Sequence, residues 1–139
     1  MILSNKQLIR KLRTWDKDHT ERTKSRVNMT GEIFTPTALV QEVLSNFSPE
    51  DFSDSKQTFL DPCCGNGQFL SEVLILKLEN NIDFATALST IYGIDLMIDN
   101  VEVCRNRLLC DIEELRHIVE RNIVWGDALN FDYSIWDDT

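Results

Sequence analysis

This sequence predicts an α/β fold built on a parallel sheet, and three observations carry the prediction. Short apolar runs recur at 58–60, 90–94 and 122–125, and each is closed within two residues by an acid, Asp61, Asp95 or Asp127. Segments of helical period separate them, which places the strands in parallel with crossovers. The first run breaks at Pro62, Gly65 and Gly67 and restarts as a helix. In that strand–turn–helix layout the βα loop of an open sheet holds a nucleotide-like ligand.

Residues 2–17 space Ile2, Leu8, Ile9, Leu12 and Trp15 between lysines and arginines, which predicts a short amphipathic helix. Residues 16–29 are polar without a period and read as a connector. Thr35-Pro36 is a helix start, with threonine as the cap and proline in the first helical position. Leu39, Val40, Val43, Leu44 and Phe47 then form one apolar face, until Ser48-Pro49 forces the chain out of helical geometry. Residues 50–57 read as a polar loop. After the glycine turn a helix is expected over 68–78, with Phe69, Leu70, Val73, Leu74 and Leu78 toward the sheet. Asp83 caps a short helix through Ser89, and Asp99 caps a long one to about Val119.

The turn sets the chemistry. Gly65 and Gly67 let backbone N–H groups approach a ligand with no Cβ in the way. A dinucleotide site asks for a third glycine where this chain has Leu70. Asp61 stands where a pyrophosphate would be repelled, and suits instead a ligand with positive charge, an ammonium or a sulfonium. Asp61, Asp95 and Asp127 all close strands at the edge where open α/β sheets bind ligands. No general base, nucleophile or metal triad is legible. Cys63-Cys64 lacks a base to make a thiolate, and Cys104 and Cys110 do not have zinc spacing.

With 139 residues, 42% of them apolar, the chain is long enough for one domain with a real core. No apolar run approaches the ~20 residues of a membrane span, and Met1-Ile2-Leu3 gives way at once to Ser4-Asn5-Lys6. The expectation is a cytoplasmic protein with reduced thiols, away from any membrane. Charge is uneven. Residues 1–30 hold eight lysines and arginines against three acids, whereas the rest carries a net −14. A nucleic-acid channel normally shows a basic face, so only the N-terminal arm offers contacts to phosphates. The plainer readings are a solvated arm, or one that docks on a neighbour's acidic body.

Residues 61–70, Asp-Pro-Cys-Cys-Gly-Asn-Gly-Gln-Phe-Leu, match every fixed position of a known cofactor motif, Asp-Pro-x-x-Gly-x-Gly-x-Phe-Leu. In this the chain resembles the S-adenosylmethionine-dependent DNA methyltransferases of the adenine-N6 type. Residues 31–36 look like that family's upstream Phe/Tyr-Thr-Pro motif, 92–95 like its second strand and 122–129 like its third, so the resemblance spans about residues 30–130. It implies a Rossmann-like class I methyltransferase fold, of which this chain carries the N-terminal half of the parallel sheet. A basic helix and connector over 1–30 would precede an S-adenosylmethionine-binding domain over 31–139.

The resemblance also implies roles. Asp61 would face the methionine end of the cofactor, on a turn shaped by Pro62, Gly65 and Gly67. Asp95 would accept from the ribose hydroxyls and Asp127 from the adenine amino group. Phe34 and Thr35 would close over the methionine moiety, with Pro36 fixing the turn and Phe69 near the pocket. The family continues into a fourth strand ending in Asp/Asn/Ser-Pro-Pro-Tyr/Phe; the resemblance implies that residues 131–136 begin that strand, and residues 1–139 contain no Pro-Pro pair. The expectation is therefore the cofactor-binding part of an adenine-N6 DNA methyltransferase, with no catalytic residue of its own. A partner chain would supply base binding, and DNA would be reached through that partner or the basic arm. The first strand, left as an unpaired edge, favours a homodimer or a partner subunit. Two rival classes are a cofactor-binding regulator or decoy without transferase activity, and an oligomerisation fragment that has lost the ligand.

Overall fold

A computed structural model describes residues 2–15 and 35–137. The connector expected over 16–29, and Phe34 of the upstream motif, lie outside the described residues. Along the chain come α1 (Asn5–Arg13), α2 (Thr37–Leu44), α3 (Pro49–Ser53), β1 (Phe59–Asp61), α4 (Gln68–Glu79), α5 (Phe84–Ser89) and β2 (Ile91–Asp95). There follow α6 (Ile98–Leu109), a 3-10 turn at Glu113–Leu115, α7 (Arg116–Asn122), β3 (Ile123–Trp125) and a last 3-10 turn at Tyr133–Trp136.

The strands form one parallel sheet in the order β1-β2-β3. Asp61 lies opposite Gly93, and Asp95 opposite Trp125, so the three C-terminal ends share one edge. Side chains alternate between the two faces of a strand. Phe59, Ile91, Gly93 and Ile123 therefore share the face on which α4 packs, and Leu60, Tyr92, Ile94 and Val124 share the other. Helix α4 is buried nearly all round, through Leu70, Val73, Leu74, Ile75 and Leu78. Around it pack α1, α2, α5 and α6. Helix α1 adds Leu8 and Leu12 to the core, and its Asn5 amide donates to the Leu78 and Ile82 carbonyls at 3.1 and 3.0 Å.

Several boundaries differ from the sequence reading, each for a physical reason. Helix α1 begins later than residue 2, because Ser4 and Gln7 form a reciprocal capping box. Thr35 is not the cap of α2. The Pro36 carbonyl accepts the Leu39 and Val40 N–H groups, which makes Pro36 the cap and Thr37 the first helical residue. Of the apolar face expected on α2, only Val40 and Leu44 are buried.

The expected loop over 50–57 contains α3. Pro49 opens that turn, Glu50 and Asp51 face its positive end, and Phe52 is buried with its ring stacked 5.3 Å from that of Phe59. The long helix expected to reach Val119 stops at Leu109, because Cys110 and Asp111 turn left-handed (φ 54° and 63°) before α7 resumes. Met97, not Asp99, occupies the α6 cap.

The segment 131–136 is not a strand. Asp132 caps a 3-10 turn through Ser134, and Phe131, Tyr133 and Trp136 pack on one another instead of extending. The Trp136 ring lies 4.8 Å from Tyr92 and its Nε1 donates to the Arg121 carbonyl at 2.9 Å. The segment thus covers part of the second sheet face, while Leu60 on that face stays 44% exposed. Among the described residues β1 pairs only with β2.

A candidate ligand site at the strand ends

The peptide after β1 folds back on its own acid. Asp61 Oδ1 accepts from the Cys63 N–H at 3.0 Å, and the Cys64 N–H donates to the Ile94 carbonyl at 2.9 Å, which stitches the turn to β2. Gly65 and Gly67 both take positive φ (53° and 91°), a conformation that favours glycine. A side chain at Gly67 would also run into α6, since its Cβ would sit 2.9 Å from Cys104 Sγ. The turn therefore lies flat against the protein, with the Gly67 N–H bonded to the Cys64 carbonyl at 2.9 Å.

Asp95 is the hub of that edge. Its Oδ1 accepts from the Gly65 N–H at 3.1 Å, and its Oδ2 accepts from the Met97 N–H and the Asn100 side chain, both at 3.0 Å. The carboxylate also sits at the N-terminus of α6, where a negative charge is favoured. An ionised carboxylate offers about four acceptor sites, so three are committed to the protein, leaving one for a ligand hydroxyl. Its backbone carbonyl takes the Gly126 N–H at 3.0 Å and so brings the end of β3 alongside.

Asp127, two residues past β3, is exposed and bonded into its own loop. It accepts from the Leu129 N–H at 3.0 Å and the Asn130 amide at 3.1 Å. Leu96, Ile98, Trp125 and Leu129, which flank these acids in the chain, are exposed apolar side chains. The edge thus combines carboxylates with apolar surface.

Burial raises the Asp61 carboxyl above its usual range, with the charge of Asp95 adding to the effect and the Cys63 N–H opposing it. An acid in that state gains from a cationic neighbour. The Cys64 thiol is held protonated by its hydrogen bond with Cys104, by burial and by the surrounding negative groups. Burial likewise pushes the Cys110 thiol up to about 12. Neither is a nucleophile at neutral pH. Among the described residues no cluster of histidine, cysteine and acid is arranged to hold a metal ion, and no helix is long and apolar enough to cross a membrane.

The structure thus brings Asp61, Gly65, Gly67 and Asp95 together and puts Asp127 on the same edge. Pro62 is exposed at the start of the turn, and Phe69 is partly buried and packed against the core. Thr35 and Pro36 lie at the entrance to α2. Sequence reasoning missed three residues. Asn100, fully buried, holds the Asp95 carboxylate. Gly93 lets the turn close, because a Cβ there would meet Cys64 Cβ and Leu70 Cδ1 at 2.9 Å. Asn66, between the two turn glycines, is fully buried, and neither of its side-chain polar atoms is hydrogen-bonded to another described residue. A glycine in mid-strand was the one available signal.

Two clefts lie elsewhere. One of about 190 Å³ is lined by Lys11, Trp15, Arg107 and Asp111, and one of about 380 Å³ by Leu44, Phe47, Phe52 and Leu76 among others. Neither includes a strand-end acid.

The chain as a whole has known relatives. A model of the N-6 DNA methylase family matches residues 19–139. The chain is similar to the Type II methyltransferase M.VspI of Vibrio sp. (strain 343), at 32% identity over 108 residues. That match covers 78% of this chain and 23% of the relative, so the chain spans less than a quarter of the relative's length. No solved structure matches.

Proposed function

We propose that this chain, which belongs to the N-6 DNA methylase family, binds S-adenosylmethionine at the strand-end edge, as the cofactor-binding part of an adenine-N6 DNA methyltransferase. The observation that carries the reading is the hydrogen bond from the Gly65 N–H to Asp95, with Asp61 raised beside it: a glycine turn and two carboxylates meet on one edge. Their chemistry fits the cofactor. Acids repel a pyrophosphate and attract the ammonium and sulfonium of S-adenosylmethionine. The open acceptor site of Asp95 suits a ribose hydroxyl. Asp127 would accept a hydrogen bond from the adenine amino group, and the exposed Leu96 would give the ring an apolar face.

When bound, the cofactor supplies an electrophilic methyl group. What the chain contributes is binding and orientation, with Thr35 and Pro36 at the entrance to α2 placed to close one side. We read the three-stranded sheet as the N-terminal half of a Rossmann-like class I methyltransferase fold, with 1–30 an added arm and 31–139 the cofactor domain. Flipping and gripping a target adenine needs acceptors and a stacking surface on the base. No Pro-Pro-Tyr element occurs in these residues to supply them, so the proposed methyl transfer to DNA needs a base-binding element from outside residues 1–139, which a partner chain would bring. Among the described residues one side of β1 is unpaired, which would give such a partner, or a second copy, a place to add. A cytoplasmic location follows from this role.

Calorimetric titration tests the reading. S-adenosylmethionine and S-adenosylhomocysteine should bind more tightly than NAD or ATP, and the pure chain should transfer no labelled methyl to DNA. Tighter binding of NAD would sink the cofactor assignment, and robust transfer by the chain alone would sink the need for a partner.

A further inference from the structure

Helices α2 and α4 are tied by two polar rungs. Thr37 and Gln41 stand one turn apart on α2, and Gln68 and Glu72 one turn apart on α4, so each pair shares a helix face. Gln68 Nε2 donates to Thr37 Oγ1 at 2.7 Å, and Gln41 Nε2 donates to Glu72 Oε1 at 3.0 Å. Each rung ends on an arginine from a third element. Arg107 of α6 donates from Nη2 to Gln68 Oε1 at 2.7 Å, and Arg13 of α1 donates from Nη1 to Glu72 Oε1 at 3.2 Å. Arginine can only donate, so Gln68 must turn its oxygen to Arg107 and its amide N–H to Thr37.

Both ends of the first rung touch the candidate site. Gln68 directly follows Gly67, the last residue of the glycine turn, and Thr37 directly follows Thr35-Pro36. Arg107 is 7% exposed, its Nη1 reaches the Asn66 carbonyl inside the turn at 3.5 Å, and its guanidinium lies over the Trp15 ring. A buried cation with fixed partners is a stiff anchor. Its orientation passes through one glutamine to the start of α2.

We propose that Gln68 is a positioning residue which, held by Arg107, couples the Thr35-Pro36 entrance to the glycine turn, so that a ligand at the strand ends meets both as one surface. The ligand part rests on the S-adenosylmethionine reading above. The coupling part does not, and the experiment separates them.

In the first arm, hydrogen exchange is followed in the ligand-free chain. The Leu39 and Val40 amides, which donate to the Pro36 carbonyl, should exchange at least about tenfold faster in Gln68→Met, while amides in the middle of α4 keep their rates. Unchanged exchange at Leu39 and Val40 overturns the coupling.

In the second arm, S-adenosylhomocysteine affinity is measured by calorimetry. Gln68→Met should weaken it about fivefold and Thr37→Val about threefold, and the double variant should be no worse than about twofold beyond Gln68→Met, because both remove one rung. Gln68→Glu, which still accepts from Arg107 and from the Thr37 hydroxyl, should restore affinity to within about twofold of the wild type. A purely structural role would not give this non-additivity and rescue. Losses that multiply, or affinities that do not change, overturn the ligand part. A wild type that takes no S-adenosylhomocysteine refutes the functional reading and with it the ligand part, and the exchange arm still decides the coupling.

Discussion

Replacing Gly93 with alanine puts a methyl group into the joint between β2 and the glycine turn. The added Cβ would lie 2.9 Å from Cys64 Cβ, 2.9 Å from Leu70 Cδ1 and 3.0 Å from Cys64 Sγ. Two of these three atoms belong to the turn, and the third to the buried side chain of Leu70, 1% exposed. Overpacking of this kind costs about 1–3 kcal/mol. Removing a glycine from the unfolded chain returns about 0.4–1 kcal/mol, so the net loss should be about 1–2 kcal/mol. Urea unfolding reads it directly, as a midpoint lowered by about 0.5–1 M at unchanged slope. Gly126→Ala is the matched control. There the nearest atom is Phe131 Cδ1 at 3.4 Å, an ordinary contact, and the change should stay within about 0.5 kcal/mol. Because Cys64 must move, its bond to the Ile94 carbonyl and the Gly67 bond to its own carbonyl are both disturbed. S-adenosylhomocysteine affinity should therefore fall with stability in Gly93→Ala alone. Equal stability of the two variants would refute the reasoning.

Asp61→Asn should stabilise the ligand-free chain at pH 7, because the raised pKa makes the ionised carboxylate a cost to the fold. Folded protein binds its proton at higher pH than unfolded protein does, so the gain should shrink as pH falls from the raised pKa toward 3.8 and vanish below it. The same variant should weaken S-adenosylmethionine by about tenfold or more, as a charged partner is lost, and a variant that gains stability without losing affinity would contradict the role of Asp61. Lys77 is fully buried, donates to the Gln57 carbonyl at 2.7 Å and has its pKa lowered by burial. Lys77→Met should be neutral or stabilising by about 1–2 kcal/mol in urea unfolding, since the exposed Gln57 carbonyl can turn to water, and a loss beyond about 2 kcal/mol would contradict this. Trp136→Ala removes the ring over Tyr92 and should cost about 1–2 kcal/mol. It also bares the second sheet face, so light scattering should show more self-association, and an unchanged profile would mean the segment 131–136 does not shield that face.

What was legible in the sequence is what short range decides. The strand ends were readable because an apolar run meets an acid and a glycine, and α5 because Asp83 caps it through the Thr86 N–H. What was hidden depends on distant partners. The Phe52 turn is helical because its ring finds Phe59 across the chain. The break after Leu109 falls on a cysteine and an aspartate in left-handed conformation, where no glycine marks the stop. Residues 131–136 carry strand-like aromatics, yet they stack on Tyr92 and one another. In the site, the acids announced themselves by position, but the groups that hold them did not. Asn100 and Gln68 look like ordinary polar helix residues until the fold brings Asp95 and Arg107 to them.

The central claim is that a ligand binds on the glycine turn at the shared ends of the three strands. Amide chemical-shift mapping during titration with S-adenosylhomocysteine tests it most directly. The largest shifts should fall on Gly65, Gly67, Leu96 and the stretch from Gly126 to Ala128, with saturation at all of them together. Shifts centred instead on the cleft around Lys11 and Arg107, or on the apolar cleft of Leu44 and Phe52, or no shifts at saturating ligand, would contradict the account.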